Sequence, residues 1–406
     1  QEMSFDLFAY RKLQDTAADC EDRCDQIERE MRDPKAAERF ALKQSQAFVD
    51  QMEGFALELE DELMNFSDVS YKSFVKSESE IITLFYDKFA DIPLLSRMDA
   101  VAETFIDEIE TLLNRDLPEE ERIPLIEKFQ KMYETMDFYV LYNRFLKKEG
   151  YQTLPRRPLE KRKLRYEDVY PVLYLKYRLS RQAERSNIKH LVIDEMQDYS
   201  RLQYLIIRRM FSCKMTILGD RAQTMADQQQ DVLQFLPGIF GKDLRRIEMR
   251  KSYRNTVEIA SYAANLIGVT DLELFERHGM PVLERNVTDL EAALREAVDT
   301  LFPDEKTYET AAVIVPDEKT AERAYLILRE ILAEKDFDCE KRLSWLNRDS
   351  SSFKKGLTVT TFYLAKGLEF DQVFSIFPKD EKREMMMQAQ YIAATRALHE
   401  LRVYHI

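Results

Sequence analysis

The chain has 406 residues, 45% apolar and 33% charged, with a formal net charge of −14. A sizeable core can form, which excludes a disordered tail, and the length fits two or three domains. No apolar run approaches the roughly 18–20 residues that span a bilayer, and no signal peptide opens the chain, so a cytoplasmic protein without a membrane role is expected. Cys20, Cys24, Cys213 and Cys339 make no disulfide framework at this size and read as reduced thiols. Cys20 and Cys24 stand one helical turn apart, but without a second Cys/His pair nearby they make a poor zinc site. The chain begins at Gln1 rather than Met, which implies a longer protein with an N-terminal part missing here.

Residues 1–150 carry a formal −16 and residues 151–406 carry +2, so the acidity belongs to the first part alone. Only Gly54 and Gly150 of the nine glycines precede residue 200, as expected of long helices. Windows such as Phe48 to Met64 show apolar residues at helical spacing, which predicts an all-α module. Proline predicts breaks at Asp33-Pro34, Ile92-Pro93 and Leu117-Pro118. So acidic a module is a poor grip for DNA or RNA phosphates; its charge is a solvated surface or a face that docks a basic protein.

A basic stretch, Arg156-Arg157 then Lys161-Arg162-Lys163 and Arg165, reads as a linker. Asp168 to Leu179 reads as a helix capped by Asp168, with Pro171 in its first turn. Short apolar runs then alternate with helical segments. The expected strands are His190–Asp194, Met215–Leu218, Arg246–Met249, Ala311–Val315, Leu357–Thr361, Gln372–Phe377 and Leu401–Tyr404. This alternation predicts an α/β fold with parallel sheets covered on both faces.

The strand His190-Leu191-Val192-Ile193 runs out into Asp194-Glu195. Ligands of open parallel sheets sit at the carboxyl ends of strands, where one carboxylate can hold Mg²⁺ and its neighbour can take a proton from water. A second strand leads into Leu218-Gly219-Asp220-Arg221-Ala222-Gln223. Ser252-Tyr253-Arg254-Asn255 follows, then Lys366-Gly367-Leu368-Glu369-Phe370-Asp371, and last Gln390-Tyr391-Ile392-Ala393-Ala394-Thr395-Arg396-Ala397.

In order and content these five motifs resemble the later motifs of superfamily 1 helicases, the UvrD/Rep class, over residues 166–406. The resemblance implies RecA-like (P-loop NTPase) sheets in two domains that clamp ATP while nucleic acid, single-stranded or duplex DNA, crosses another face. It implies domains at 161–235, the C-terminal part of the first RecA-like domain, and 236–406, the second, with 1–160 as an acidic helical insertion. It assigns Asp194 to Mg²⁺ and Glu195 to the attacking water. Gln223 matches the γ-phosphate sensor, Tyr253 the ring that stacks on adenine, and Arg254 the γ-phosphate arginine. Gly367 and Glu369 fall in the nucleotide-binding motif, Glu369 on the ribose, and Arg396 matches a second arginine finger. Guanidinium groups stabilise charge on a transferring phosphoryl group, and an aromatic face suits adenine.

The phosphate loop, Gly-x4-Gly-Lys-Ser/Thr, occurs nowhere: the one Gly-Lys is Gly241-Lys242, preceded five residues earlier by Leu236 and followed by Asp243. The chain alone is therefore expected not to hydrolyse ATP. Some 160 residues of mostly acidic helix precede the Asp-Glu strand, and only about 105 residues separate Arg254 from Thr360. That layout, with Tyr166-Glu167-Asp168-Val169-Tyr170-Pro171 and Tyr174-Leu175-Lys176-Tyr177, resembles the HelD group of RNA polymerase-associated helicases. Met196 departs from the small residue usual there and predicts a packing difference. A DNA repair helicase of the UvrD/Rep type and a non-catalytic interaction fragment are the alternatives.

Overall fold

The computed structural model describes residues 4–181, 187–220, 223, 232–241, 244–249, 251–269, 273–302, 308–335, 338–348, 350, 355–379 and 384–406. The chain divides into two compact units, residues 1–218 with 232–242, and residues 219–231 with 243–406.

The first unit runs α1 (Phe5–Lys12), β1 (Asp19–Cys20), α2 (Arg23–Arg32), α3 (Pro34–Lys43), α4 (Gln46–Glu62), β2 (Val69–Tyr71), β3 (Phe74–Lys76), α5 (Glu78–Thr83), α6 (Arg97–Leu113), α7 (Glu119–Gln130), α8 (Phe138–Lys148), β4 (Lys163–Leu164), α9 (Tyr166–Leu179), β5 (His190–Ile193), α10 (Arg201–Met210), β6 (Lys214–Ile217) and α11 (Val232–Phe240). The three proline breaks fall between helices. At the first, Pro34 opens α3 while the Asp33 side chain accepts from the Lys35 N–H, so one residue ends α2 and caps its successor.

Two expectations need correction here. The N-terminal residues are not all-α: β2 and β3 pair as an antiparallel hairpin turning at Lys72, whose φ is 53°, without the Asn-Gly or Asp-Gly that would have announced it. And α9 begins at Tyr166 behind Arg165, so Asp168 is no cap and Pro171 lies in the second turn. The reason is burial. α9 is enclosed along nearly its whole length, and Asp168 faces inward, where Lys43 Nζ lies 2.6 Å and the Tyr142 hydroxyl 2.7 Å from its Oδ1.

A helix enclosed on all sides must satisfy every polar group it carries. Glu167 meets Arg29 at 3.0 Å and Arg39 at 3.4 Å; burial and the charge of Asp168 push its carboxyl up. Lys176 reaches Asp15 and the Lys12 carbonyl, and the Tyr170 and Tyr174 hydroxyls donate to Asp6 and Glu53. The basic stretch is pinned too: β4 pairs with β1, and Arg162 meets Asp137 at 2.7 Å. Burial pushes the Cys20 thiol up to about 12, which keeps it a neutral thiol. One hydrophobic core, from Phe5 to Leu236, holds the helices together with β5, β6 and α10.

The second unit comprises β7 (Lys251–Ser252), α12 (Val257–Leu266), β8 (Glu273–Leu274), β9 (Leu283–Asn286), α13 (Leu290–Asp299), β10 (Thr310–Val315), α14 (Glu318–Ala333), α15 (Cys339–Arg342), β11 (Leu343–Trp345), β12 (Gly356–Thr361), β13 (Phe370–Phe377), α16 (Glu384–Thr395) and β14 (Ala397–His405). Six of these strands form one parallel sheet in the order β11-β12-β10-β13-β14-β9. Ala311, Val313, Val315, Leu357, Val359, Phe374 and Ile376 pack with α13 and α14. Their alternating neighbours face the other way, where α12 and α16 pack on each other and on β13 and β14. The fold is α/β, with the parallel sheet and flanking helices of the RecA-like class.

The strand expected at Arg246–Met249 is absent. Residues 244–249 are irregular, and Met249 is 91% exposed. An apolar run this short signals burial only if a partner strand and a packed face are available, and among the described residues it has neither.

Candidate functional site

In the first unit, β5 and β6 pair in parallel, with His190 opposite Lys214 and Ile193 opposite Ile217. Asp194 follows β5 directly and is exposed. Glu195 takes a left-handed backbone, φ 51°, unusual for a residue with a side chain. The turn holds because the Glu195 N–H donates to Asp194 Oδ1 at 2.9 Å, Gln197 Nε2 donates to Glu195 Oε2 at 2.6 Å, and the Met196 N–H donates to the Leu218 carbonyl at 2.8 Å. Met196, the departure noted in the sequence, has its carbonyl taken by the Tyr204 hydroxyl at 3.1 Å. Both carboxylates thus stand at the carboxyl end of a parallel strand, and among the described residues no group of three or more His, Cys, Asp or Glu that could hold a metal ion is found.

In the second unit, Arg396 is the single residue between the end of α16 and the start of β14, and only 1% of it is exposed. Its Nη2 donates to Gln223 Oε1 and to Thr395 Oγ1, each at 3.1 Å, and its Nε to the Ile392 carbonyl at 3.2 Å. Gln223 is itself held: its N–H donates to the Asp220 carbonyl and its Nε2 to Asp220 Oδ2, both at 3.1 Å. The Lys366 Nζ donates to the Gln223 carbonyl at 3.3 Å. The Tyr391 hydroxyl donates to Asp220 at 3.4 Å, and burial followed by that carboxylate pushes the phenol up.

Gly367 adopts φ +80°, a left-handed turn open to glycine, just before Leu368, whose carbonyl accepts from Arg396 Nη1 at 3.4 Å. Glu369 precedes β13 and meets Arg254 at 2.7 Å, both side chains partly exposed. Tyr253 is 61% exposed and lies 5.5 Å from the Phe275 ring, with Lys251 Nζ 5.6 Å from its centroid. That leaves ring surface accessible to a planar ligand.

Gln223 and Arg396 are therefore brought together, as are Arg254 and Glu369, and Asp194 with Glu195 at one strand end. Sequence reasoning quoted but did not single out Asn255, Lys366, Asp220 and Tyr391, and it passed over Arg277 altogether. Asn255 is buried, and its Nδ2 donates to the carbonyls of Thr395 and Ala397 at 3.2 and 2.6 Å. Arg277 Nη2 donates to the Arg254 carbonyl at 2.8 Å and to that of Leu398. The available signal was Arg277-His278-Gly279, a rare glycine after an arginine and a histidine in a glycine-poor chain.

Comparison with solved structures finds several helicases. The C-terminal domain of a possible DNA helicase from Lactobacillus plantarum WCFS1 shares 23% identity at a TM-score of 0.30, over 38% of this chain and 88% of that one. The arterivirus nonstructural protein 10 helicase shares 15% identity at a TM-score of 0.29, and the PRRSV helicase 14% at 0.30, each over 66% of this chain. This chain spans 50% and 45% of those two viral proteins. Curated protein sequences give no match. The sequence profile of the UvrD/REP helicase N-terminal domain matches residues 3–225, more than half of the chain, and the chain therefore belongs to the UvrD/REP helicase family.

Proposed function

We propose that this chain belongs to an ATP-dependent nucleic-acid motor of superfamily 1. The observation that carries the reading is the convergence in the second unit of Gln223 with Arg396, and of Arg254 with Glu369, four residues scattered over more than 170 positions. Bound ATP with Mg²⁺ would supply the phosphoanhydride whose cleavage drives the motor. On this reading Asp194 would offer its exposed carboxylate to the cation, and Glu195 would accept a proton from water. Tyr253 presents a face for adenine. Arg254 and Arg396 offer charge to phosphate oxygens, with Arg396 oriented by Gln223. With no phosphate loop in its sequence, the 406-residue chain should turn over no ATP above background; measurable hydrolysis that Glu195→Gln abolishes would overturn that expectation.

The finer reading is a HelD-like motor acting on RNA polymerase, releasing or recycling it. Two features support it. Between α12 and β12 the described residues build the α/β sheet and hold no separate helical domain, and the acidic residues precede the Asp-Glu strand. The acidic face would then meet a basic polymerase surface. Because those helices share a core with β5 and β6, the test is charge reversal at the exposed Asp116, Glu119 and Glu120. Converting all three to Lys in the full-length protein should cut capture of RNA polymerase subunits at least about tenfold. Undiminished capture refutes the acidic face as the docking surface, and no polymerase with the unaltered protein favours the repair helicase.

A further inference from the structure

We propose that Asn255 and Arg277 are positioning residues which join the Arg254 turn and the Arg396 turn into one rigid piece. The inference rests on the reading above, in which those two arginines serve the phosphates.

The geometry begins with the end of a helix. α16 stops at Thr395 and β14 starts at Ala397. The direction of the Arg396 side chain is thus set by one residue of backbone. A helix end leaves carbonyls without intrahelical partners, so such a junction is free to shift unless something binds them. Asn255 does so from both sides: its amide donates to the carbonyl of Thr395, before the arginine, and to that of Ala397, after it. Asn255 is also the residue next to Arg254. One buried side chain therefore ties the peptide groups flanking one arginine to the backbone of the other.

Arg277 repeats the device from a third segment. Its Nη2 donates to the Arg254 carbonyl and to that of Leu398, two residues beyond Arg396. The Val257 N–H returns a bond to the Arg277 carbonyl at 2.9 Å. The close approach is completed by Gly279. A Cβ there would stand 2.6 Å from Thr256 Cγ2 and 3.2 Å from the His399 carbonyl, so only glycine lets this segment lie against both turns. Four carbonyls are bound by two side chains. Their role is to fix the backbone from which Arg254 and Arg396 project, so that both are held ready before ligand arrives.

Arginine side-chain NMR on the 406-residue chain tests this, with the emission of Trp345, the chain's one tryptophan, reporting the integrity of the second unit's sheet. Asn255→Asp keeps the shape and removes both donors. It should speed Nε–H exchange at Arg396 roughly tenfold and move its resonance. Arg277→Ala should do the same at Arg254, and Arg277→Lys, which retains donors, should restore part of the protection. An unchanged Arg396 signal in Asn255→Asp, with Trp345 emission intact, overturns the proposal. If that variant loses its fold, failure of Arg277→Lys to improve on Arg277→Ala overturns it instead. Adding ATP with Mg²⁺ to the wild type is a separate readout: movement of the Arg254 and Arg396 signals supports the phosphate reading, while the exchange rates alone decide the staple.

Discussion

The two units of this chain solve the problem of burying polar groups in opposite ways. The second is built on a six-stranded parallel sheet, with β12 buried throughout and β10 buried from Ala311 on, and the buried side chains of Asn255 and Arg396 bond to nearby backbone carbonyls. Among the described residues the first has only two-stranded sheets beside its helices, and its most enclosed element, α9, carries Glu167, Asp168 and Lys176. Where a sheet provides the frame, buried polar side chains can turn to backbone carbonyls at its turns. Where a single helix is the frame, each buried charge must find its own partner, and specificity passes to ion pairs that span more than a hundred residues of sequence.

Breaking one buried group in each unit should expose the difference. Asp168→Ala removes the carboxylate that the buried Lys43 bonds and strips the Tyr142 hydroxyl of its acceptor. The expected loss is about 3–5 kcal/mol, concentrated in the first unit. Phe374→Ala, deep in the sheet core, should cost a similar amount, about 3–5 kcal/mol, concentrated in the second. Urea unfolding followed by hydrogen exchange would separate them. Only the first loss should be recovered in part by a second change, Lys43→Met, which removes the stranded charge. If Asp168→Ala/Lys43→Met is no more stable than Asp168→Ala, the ion-pair account of the first unit fails.

Acid should act on the second unit through a different group. Glu258 accepts from the Gly279 N–H and from His278 Nδ1, each at 2.9 Å, and those bonds, the histidine's first, hold its carboxyl down at about 2. A carboxyl lowered on folding contributes stability that is fully present above its ordinary value of 4.5 and is lost as pH falls from there through about 2. The group lies near the surface, so solvent screening keeps the effect well below that of the buried pairs. Wild type minus Glu258→Gln, compared at pH 6 and pH 3, should show a smaller stability gap at pH 3. An equal gap at both would mean that these bonds do not favour the charged form.

How much of this was legible in the sequence follows the same division. Strands of the second unit announced themselves, because a fully buried parallel strand such as Ala311-Ala312-Val313-Ile314-Val315 is apolar without interruption. The five motifs were legible as well, since Asp194, Glu195 and Arg396 sit at strand or helix ends that their neighbours mark. Local pattern misled where partners are distant. Asp168 looked like a cap because nothing near it in sequence reveals Lys43 and Tyr142, and Arg246–Met249 looked buried because composition carries no record of what covers it. The Asn255 staple was hidden for a similar reason: its acceptors are backbone carbonyls some 140 residues away, and a carbonyl leaves no trace in the sequence.

The smallest expected effect tests the uncovered side of that contrast. In β5, Ile193 is buried while Val192 is 60% exposed, and Leu218 just beyond β6 is 48% exposed. Alternation along a strand sends Val192 to the opposite face from Ile193, so one face of this pair packs on the helical core and the other meets water. A parallel sheet is ordinarily covered on both faces, and here only the inner one is needed to hold the two strands. Val192→Lys should therefore change the stability of the 406-residue chain by no more than about 0.5 kcal/mol, read from its urea midpoint. A loss of about 2 kcal/mol or more would mean that something in solution covers that face, and the first unit would then resemble the second more closely than its two strands suggest.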